Sequence, residues 1–121
     1  MPWDLLNDRP IYTQLLEQIK RKIVSGEYSA GERLPSVREY AAEAGVNPNT
    51  MQKALAELER EGLVRTERTA GRFITEDEIL IQQIREELAR EQIQAFVGAM
   101  KDLGYSREDS MELLSRVVKE D

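Results

Sequence analysis

The chain has 121 residues with no cysteine and no histidine, which excludes disulfides, thiolate-bound zinc, thiolate nucleophiles and imidazole general bases. Its 40% apolar content is that of a folded protein, and its 23 acidic residues are dispersed along the chain without histidine partners, so the expected class is not an enzyme. The formal charge of -6 is unevenly divided: residues 1–75 carry 11 basic and 11 acidic side chains, residues 76–121 carry 6 and 12, so a polyanionic partner is expected to meet only the first part.

Residues 1–10 read as a leader with Trp3, Leu5 and Leu6 as apolar anchors. From Ile11 the apolar spacing becomes helical, with Ile11, Leu15, Ile19 and Ile23 in one stripe and Leu16 and Val24 beside it. Ser25-Gly26 ends this helix, and a turn through Gly31 leads to Leu34-Pro35. Ser36 then opens a second helix, with Glu39 at the reciprocal capping-box position and Val37, Tyr40, Ala41 and Ala44 on the buried side. Gly45 stops it, and Asn47-Pro48 opens a third helix with Asn47 as cap and Pro48 at the first helical position. Met51, Ala54, Leu55 and Leu58 line the inner face of this helix, and Gly62 ends it. Two short helices separated by a tight turn, with Val46 between them, have the form of a helix-turn-helix.

Residues 63–66 and 72–75 are short extended candidates around a loop tip, where Arg65, Arg68 and Arg72 face a single acid, Glu67. They are expected to form a two-stranded wing. Asp77 starts a different unit, a helix to about Leu103, followed by a Gly104-Tyr105 turn and a last helix capped by Ser106. A helix of about 25 residues reaches roughly 37 Å, too long to lie wholly against a domain formed by the first 75 residues. The apolar stripes of these two helices need a partner surface, and a second copy is the simple answer.

The segments Pro10-x-Tyr12-x-Gln14, Ile23-x-x-Gly26, Pro35-Ser36-x-Arg38, Gly45-Val46-Asn47 and Leu58-Glu59-x-Glu61-Gly62-Leu63 resemble the GntR family of bacterial regulators over about residues 10–75. The short two-helix tail is similar to its YtrA-like subfamily. The resemblance implies that the helix from Pro48 lies in the major groove of DNA and the hairpin tip against the minor groove. It also implies DNA contacts by Arg38, by Asn47, Asn49, Thr50 and Gln52, and a wing glycine at Gly71. Two departures stand out: Pro48 and Gln52 replace arginines common in the family, and Thr69 replaces the first wing glycine.

The side chains themselves are suited to this role. Asn47 and Asn49 can donate and accept, Gln52 can address adenine bidentately, and Thr50 suits a phosphate or a methyl contact. Arg38, Lys53, Arg68 and Arg72 are the expected backbone or minor-groove anchors, with a solvated helix face as the alternative for Lys53; for Asn47 the helix cap is the favoured reading, for Asn49 and Gln52 contact with DNA.

The expected fold is mainly α with a small β-wing: a winged helix-turn-helix DNA-binding domain in residues 1–75, plus a C-terminal two-helix dimerisation region in 76–121. Opposed copies are expected to bury Ile81, Ile84, Leu88, Phe96, Met100, Leu114 and Val118. The expected function is sequence-specific regulation of transcription, repression by a homodimer on a palindromic operator. No metal or organic cofactor is implied; whether a small-molecule effector exists, and which, the residues do not reveal, and one that controls the protein is expected to bind where subunits or domains meet. No run approaches a membrane span and the first residues lack a signal peptide's apolar core, so the expected location is cytoplasmic. A scaffold that has lost DNA binding would carry an acidic recognition face, whereas residues 44–56 contain no Asp or Glu. A carboxylate hydrolase would need convergent acids in a cleft.

Overall fold

A computed structural model describes residues 3–120; Met1 and Pro2, at the start of the leader, lie outside the described residues. The chain runs α1 (Ile11–Val24), α2 (Val37–Ala44), α3 (Pro48–Arg60), β1 (Val64–Glu67), β2 (Gly71–Ile74), α4 (Glu78–Asp102) and α5 (Arg107–Glu120). It divides into two compact units, residues 1–85 and 86–121.

In the first unit, local chemistry sets the helix boundaries. The Ser36 hydroxyl accepts from the Glu39 amide at 3.2 Å while the Glu39 carboxylate accepts from the Ser36 amide at 3.3 Å, a complete capping box at the start of α2. Gly45 ends α2 at φ +72°, a left-handed conformation that side chains rarely adopt, and so allows α3 to begin three residues later. There the Asn47 side chain accepts from the Asn49 amide at 2.7 Å. The three helices close over Leu15, Ile19, Tyr40, Met51, Ala54, Leu55 and Leu58, all fully buried. Ile81 and Ile84, in the first turns of α4, are also buried in this unit, and the Arg85 guanidinium donates to the Val24 carbonyl at 2.8 Å at the end of α1.

The Ser36–Glu39 bonds hold the exposed Glu39 carboxyl below the usual carboxylate range. A carboxyl lowered by folding contributes stability above its unfolded pKa and loses it as pH falls through the folded value. Ser36→Ala removes the N-cap hydroxyl of α2, a loss that costs about 1 kcal/mol in helices generally. The gap between wild type and variant should shrink on acidification below the ordinary carboxylate range; urea denaturation at a series of pH values measures it.

The wing pairs Val64 with Ile74, Arg65 with Phe73, Thr66 with Arg72 and Glu67 with Gly71 in an antiparallel ladder. Each strand is displaced by one residue from its sequence expectation, β1 toward the tip to include Glu67 and β2 toward Gly71. Pairing nevertheless continues past the base, where the Thr75 amide donates to the Leu63 carbonyl at 2.9 Å. A feature the sequence pattern did not reveal is a third edge. The Leu34 amide donates to the Arg72 carbonyl at 2.9 Å, and the Ile74 amide donates to the Glu32 carbonyl at 2.8 Å, so residues 31–34 run along β2.

The leader is held mainly through its backbone. Gln14, buried in α1, accepts from the Leu6 amide at 2.7 Å and donates to the carbonyls of Leu6 at 2.7 Å and Arg9 at 3.0 Å. The expected anchor Leu6 leaves its side chain 52% exposed, while Trp3 packs edge-on against Tyr40 with ring centroids 5.5 Å apart. Lys22, itself buried, sets its ammonium 4.0 Å from the Trp3 ring centre and 3.8 Å from the Glu27 carboxylate. Beneath them the Tyr28 and Tyr40 hydroxyls share a 2.6 Å hydrogen bond, and burial pushes both above the ordinary tyrosine range, so both stay protonated at neutral pH.

The second unit is a helical hairpin. Tyr105 reaches back from the turn, its amide donating to the Met100 carbonyl at 3.0 Å, and the Ser106 hydroxyl accepts from the Asp109 amide at 3.1 Å to cap α5. Between the helices lies a groove of about 1340 Å³ lined by Ile93, Phe96, Val97, Tyr105, Met111 and Leu114, among others. Met111, Leu114, Val117 and Val118 are exposed. No helix among the described residues is long and apolar enough to cross a membrane.

Candidate nucleic-acid interface

Burial of Met51, Ala54, Leu55 and Leu58 turns one side of α3 inward and leaves the opposite side to solvent. Asn49, Gln52 and Lys53 are exposed there, at spacings of three and four residues that put them on neighbouring positions of one helical surface. Asn47 is occupied as the cap, as its position before Pro48 implied, and Thr50 is half-buried with its amide donating to the Asn47 carbonyl at 3.0 Å. Arg38 is exposed at the second position of α2.

The wing faces are set by the register. Arg65, Glu67, Gly71 and Phe73 lie on one face, Val64, Thr66, Arg72 and Ile74 on the other. On the first, Arg65 pairs with Glu67 and its guanidinium lies 4.9 Å from the Phe73 ring centre. Glu67, the one acid of the wing, is therefore neutralised within the hairpin. Arg68 is exposed in the tip, and neither it nor Arg38 makes an ion pair among the described residues. Gly71 has φ +105°, and a Cβ there would stand 3.3 Å from the Arg33 Nε. That contact identifies Arg33 as a further cation beside the tip, which sequence reading missed because it lies 38 residues before Gly71 in the chain.

Two more couplings emerge. The Lys53 ammonium lies 3.9 Å from the ring centre of Tyr12 in α1, so the cation is held at one position on the α3 surface. Arg72 does not extend from the tip: its Nη2 donates to the Gln52 Oε1 at 3.1 Å, joining the wing to α3. The only earlier sign of Tyr12 was its place in the Pro10-x-Tyr12-x-Gln14 segment.

The residues proposed for subunit contact fall into two groups. Ile81 and Ile84 are covered within the first unit, whereas Leu88, Phe96 and Met100 are partly covered and Leu114 and Val118 are exposed. Among the described residues no cluster of acids could hold a metal ion.

Residues 11–74 match the model of the bacterial regulatory proteins, gntR family. The chain is 42% identical over 106 residues to the HTH-type transcriptional regulator YhcF of Bacillus subtilis (strain 168), covering 88% of each protein. It is 45% identical over 74 residues to the HTH-type transcriptional repressor YtrA of the same organism, covering 61% of this chain and 57% of that one. A GntR family transcriptional regulator from Listeria monocytogenes has a similar structure, with a TM-score of 0.85 and 37% identity over 93% of this chain and 98% of that one. The capped helix pair, the wing behind it and these matches lead to one assignment: the chain belongs to the GntR family, in its YtrA-like branch, and is a DNA-binding transcriptional regulator with a winged helix-turn-helix, not an enzyme.

Proposed function

We propose that this regulator is a cytoplasmic repressor that binds a palindromic operator as a homodimer, with residues 1–75 reading DNA and residues 76–121 joining the subunits. The observation that carries the reading is the exposed start of α3, where Asn49, Gln52 and Lys53 stand on a surface without an acid from residue 44 to 56. A helix in the major groove needs such a face, because base edges are read by amide-bearing and basic side chains while acids meet phosphate repulsion. Asn49 and Gln52 address bases, and Thr50 joins them as a methyl or phosphate contact. Arg38, Lys53, Arg68 and Arg72 supply positive charge, with Asn47 and Gly71 shaping the backbone near the DNA. The name of the relative YtrA, a repressor, supports the direction of regulation.

Selection from a random duplex library should return an inverted repeat with half-sites about one helical turn apart. Transcription in vitro from a promoter overlapping that site should fall as protein is added. A selected site without symmetry would remove the homodimer reading, and increased transcript would remove the repressor reading. Arg68→Ala should weaken binding to operator and random duplex alike and lower the salt slope by about one unit.

A further inference from the structure

Gln52 and Glu59 are seven residues apart on α3, close to two helical turns, and therefore share a face. Both accept hydrogen bonds from the inner face of the wing: Gln52 from Arg72 at 3.1 Å, and Glu59 from the Thr66 hydroxyl, whose residue is paired with Arg72 across the ladder. The two bonds agree on how the wing lies along α3, so the Arg72 contact follows from the packing of the hairpin. The backbone of Arg72 and the inner part of its side chain are fixed by the same packing. Its carbonyl accepts from the Leu34 amide at 2.9 Å, and its Nε is buried without a hydrogen-bond partner, leaving the guanidinium's outer nitrogens to reach Gln52.

A guanidinium has donors and no acceptor, so the amide of Gln52 must turn its oxygen toward Arg72. The NH2 group then occupies the other corner of the planar amide. We propose that Arg72 is a positioning residue for base recognition: it ties the Gln52 oxygen to the wing, so that Gln52 presents donors to the DNA and selects guanine rather than adenine. This rests on the reading that α3 enters the major groove. Adenine offers an acceptor beside a donor there and calls for both ends of the amide side by side; guanine offers two acceptors, O6 and N7. An untethered glutamine favours adenine. The tether converts a mixed donor-acceptor reader into a donor, and specificity at that base pair belongs to the Arg72–Gln52 pair.

The test compares the intact protein with Gln52→Ala, Arg72→Met and Arg72→Lys on duplexes substituted at every position of the selected site. Gln52→Ala locates the base pair that Gln52 reads, as the position whose preference disappears. At that position wild type should prefer guanine over adenine by about tenfold. Arg72→Met, which lacks the donor, should shift preference toward adenine, while Arg72→Lys, whose ammonium is also donor-only, should keep guanine. A wild-type preference for adenine at the Gln52 position overturns the proposal even if the Arg72 variants do not fold. So does an Arg72→Met protein that weakens on all sequences alike, with a lower salt slope and guanine preference intact; Arg72 is then a phosphate anchor only. Failure of the underlying reading has a different signature: Gln52→Ala leaves every base preference unchanged.

Discussion

Leu114→Glu should break the proposed dimer into monomers and lower affinity for the full operator by about 10²- to 10⁴-fold, the range lost when a second binding head is no longer linked to the first. Leu114 is 44% exposed on α5 and lines the groove between α4 and α5, with exposed Met111 near it in the lining and exposed Val118 one turn beyond. Glutamate is a good helix former, so the substitution leaves the helix intact. It sets a charge in a surface whose burial against a second copy would otherwise contribute roughly 1.5–3 kcal/mol per large apolar side chain. Half-site affinity and helical circular dichroism should be unchanged. Sedimentation and binding to full and half operators measure the effect. A wild-type protein that is monomeric at micromolar concentration, or a variant that binds the full site undiminished, would count against the dimer. Ile84→Ala should act differently, because Ile84 is already buried in the first unit and its loss should appear as reduced folding stability.

Tyr40→Ala should destabilise the first unit by about 3–5 kcal/mol, as for large aromatic truncations in packed cores. Tyr40 is fully buried in α2, packs against Trp3 and bonds to the Tyr28 hydroxyl, so truncation opens a cavity and releases the leader together. Against a typical total of about 5–15 kcal/mol, such a loss leaves much of the population unfolded on modest heating. Tyr40→Phe keeps the ring and removes one hydroxyl, and should cost on the order of 1–3 kcal/mol because the half-buried Tyr28 hydroxyl loses its partner. Denaturant midpoints separate the two. Equal losses in both variants would mean that the hydroxyl pair, and not the ring, dominates.

The features legible in the sequence are those whose determinants lie within a few residues of one another. The Ser36–Glu39 box, the Asn47-Pro48 start and the Ser106 cap are contacts across two or three positions, and they set three helix starts. The inner face of α3 was legible for the same reason, since Met51, Ala54, Leu55 and Leu58 repeat with the helix period. Periodicity identifies a buried face without saying what covers it, which is why Ile81 and Ile84 looked equivalent to Leu114 and Val118. The candidate interface was legible as a set of residues and illegible as a set of orientations. Arg72 meets Gln52 across 20 positions, Gly71 meets Arg33 across the sheet edge, and Lys53 meets Tyr12 of another helix. Each depends on tertiary packing that no local pattern encodes. Lys22 is the clearest case: a lysine near the end of a helix reads as a solvated cation, yet Trp3 and Tyr28 enclose it from segments on either side in the chain.

Trp3 is the sole tryptophan of the chain, and its ring sits against Tyr40 and the Lys22 ammonium. The protein thus carries a built-in optical reporter whose emission follows the packing of the leader and of the α1 and α2 surface beneath it. Residues 86–121 contain no indole, so their melting is silent in that channel and visible in far-ultraviolet dichroism, to which α4 and α5 contribute strongly. Coincident transitions in the two signals would mean that the reading head and the helical hairpin unfold as one cooperative body, and separated transitions that they are independent. Native tryptophan emission can therefore monitor the DNA-binding part in the unlabelled chain.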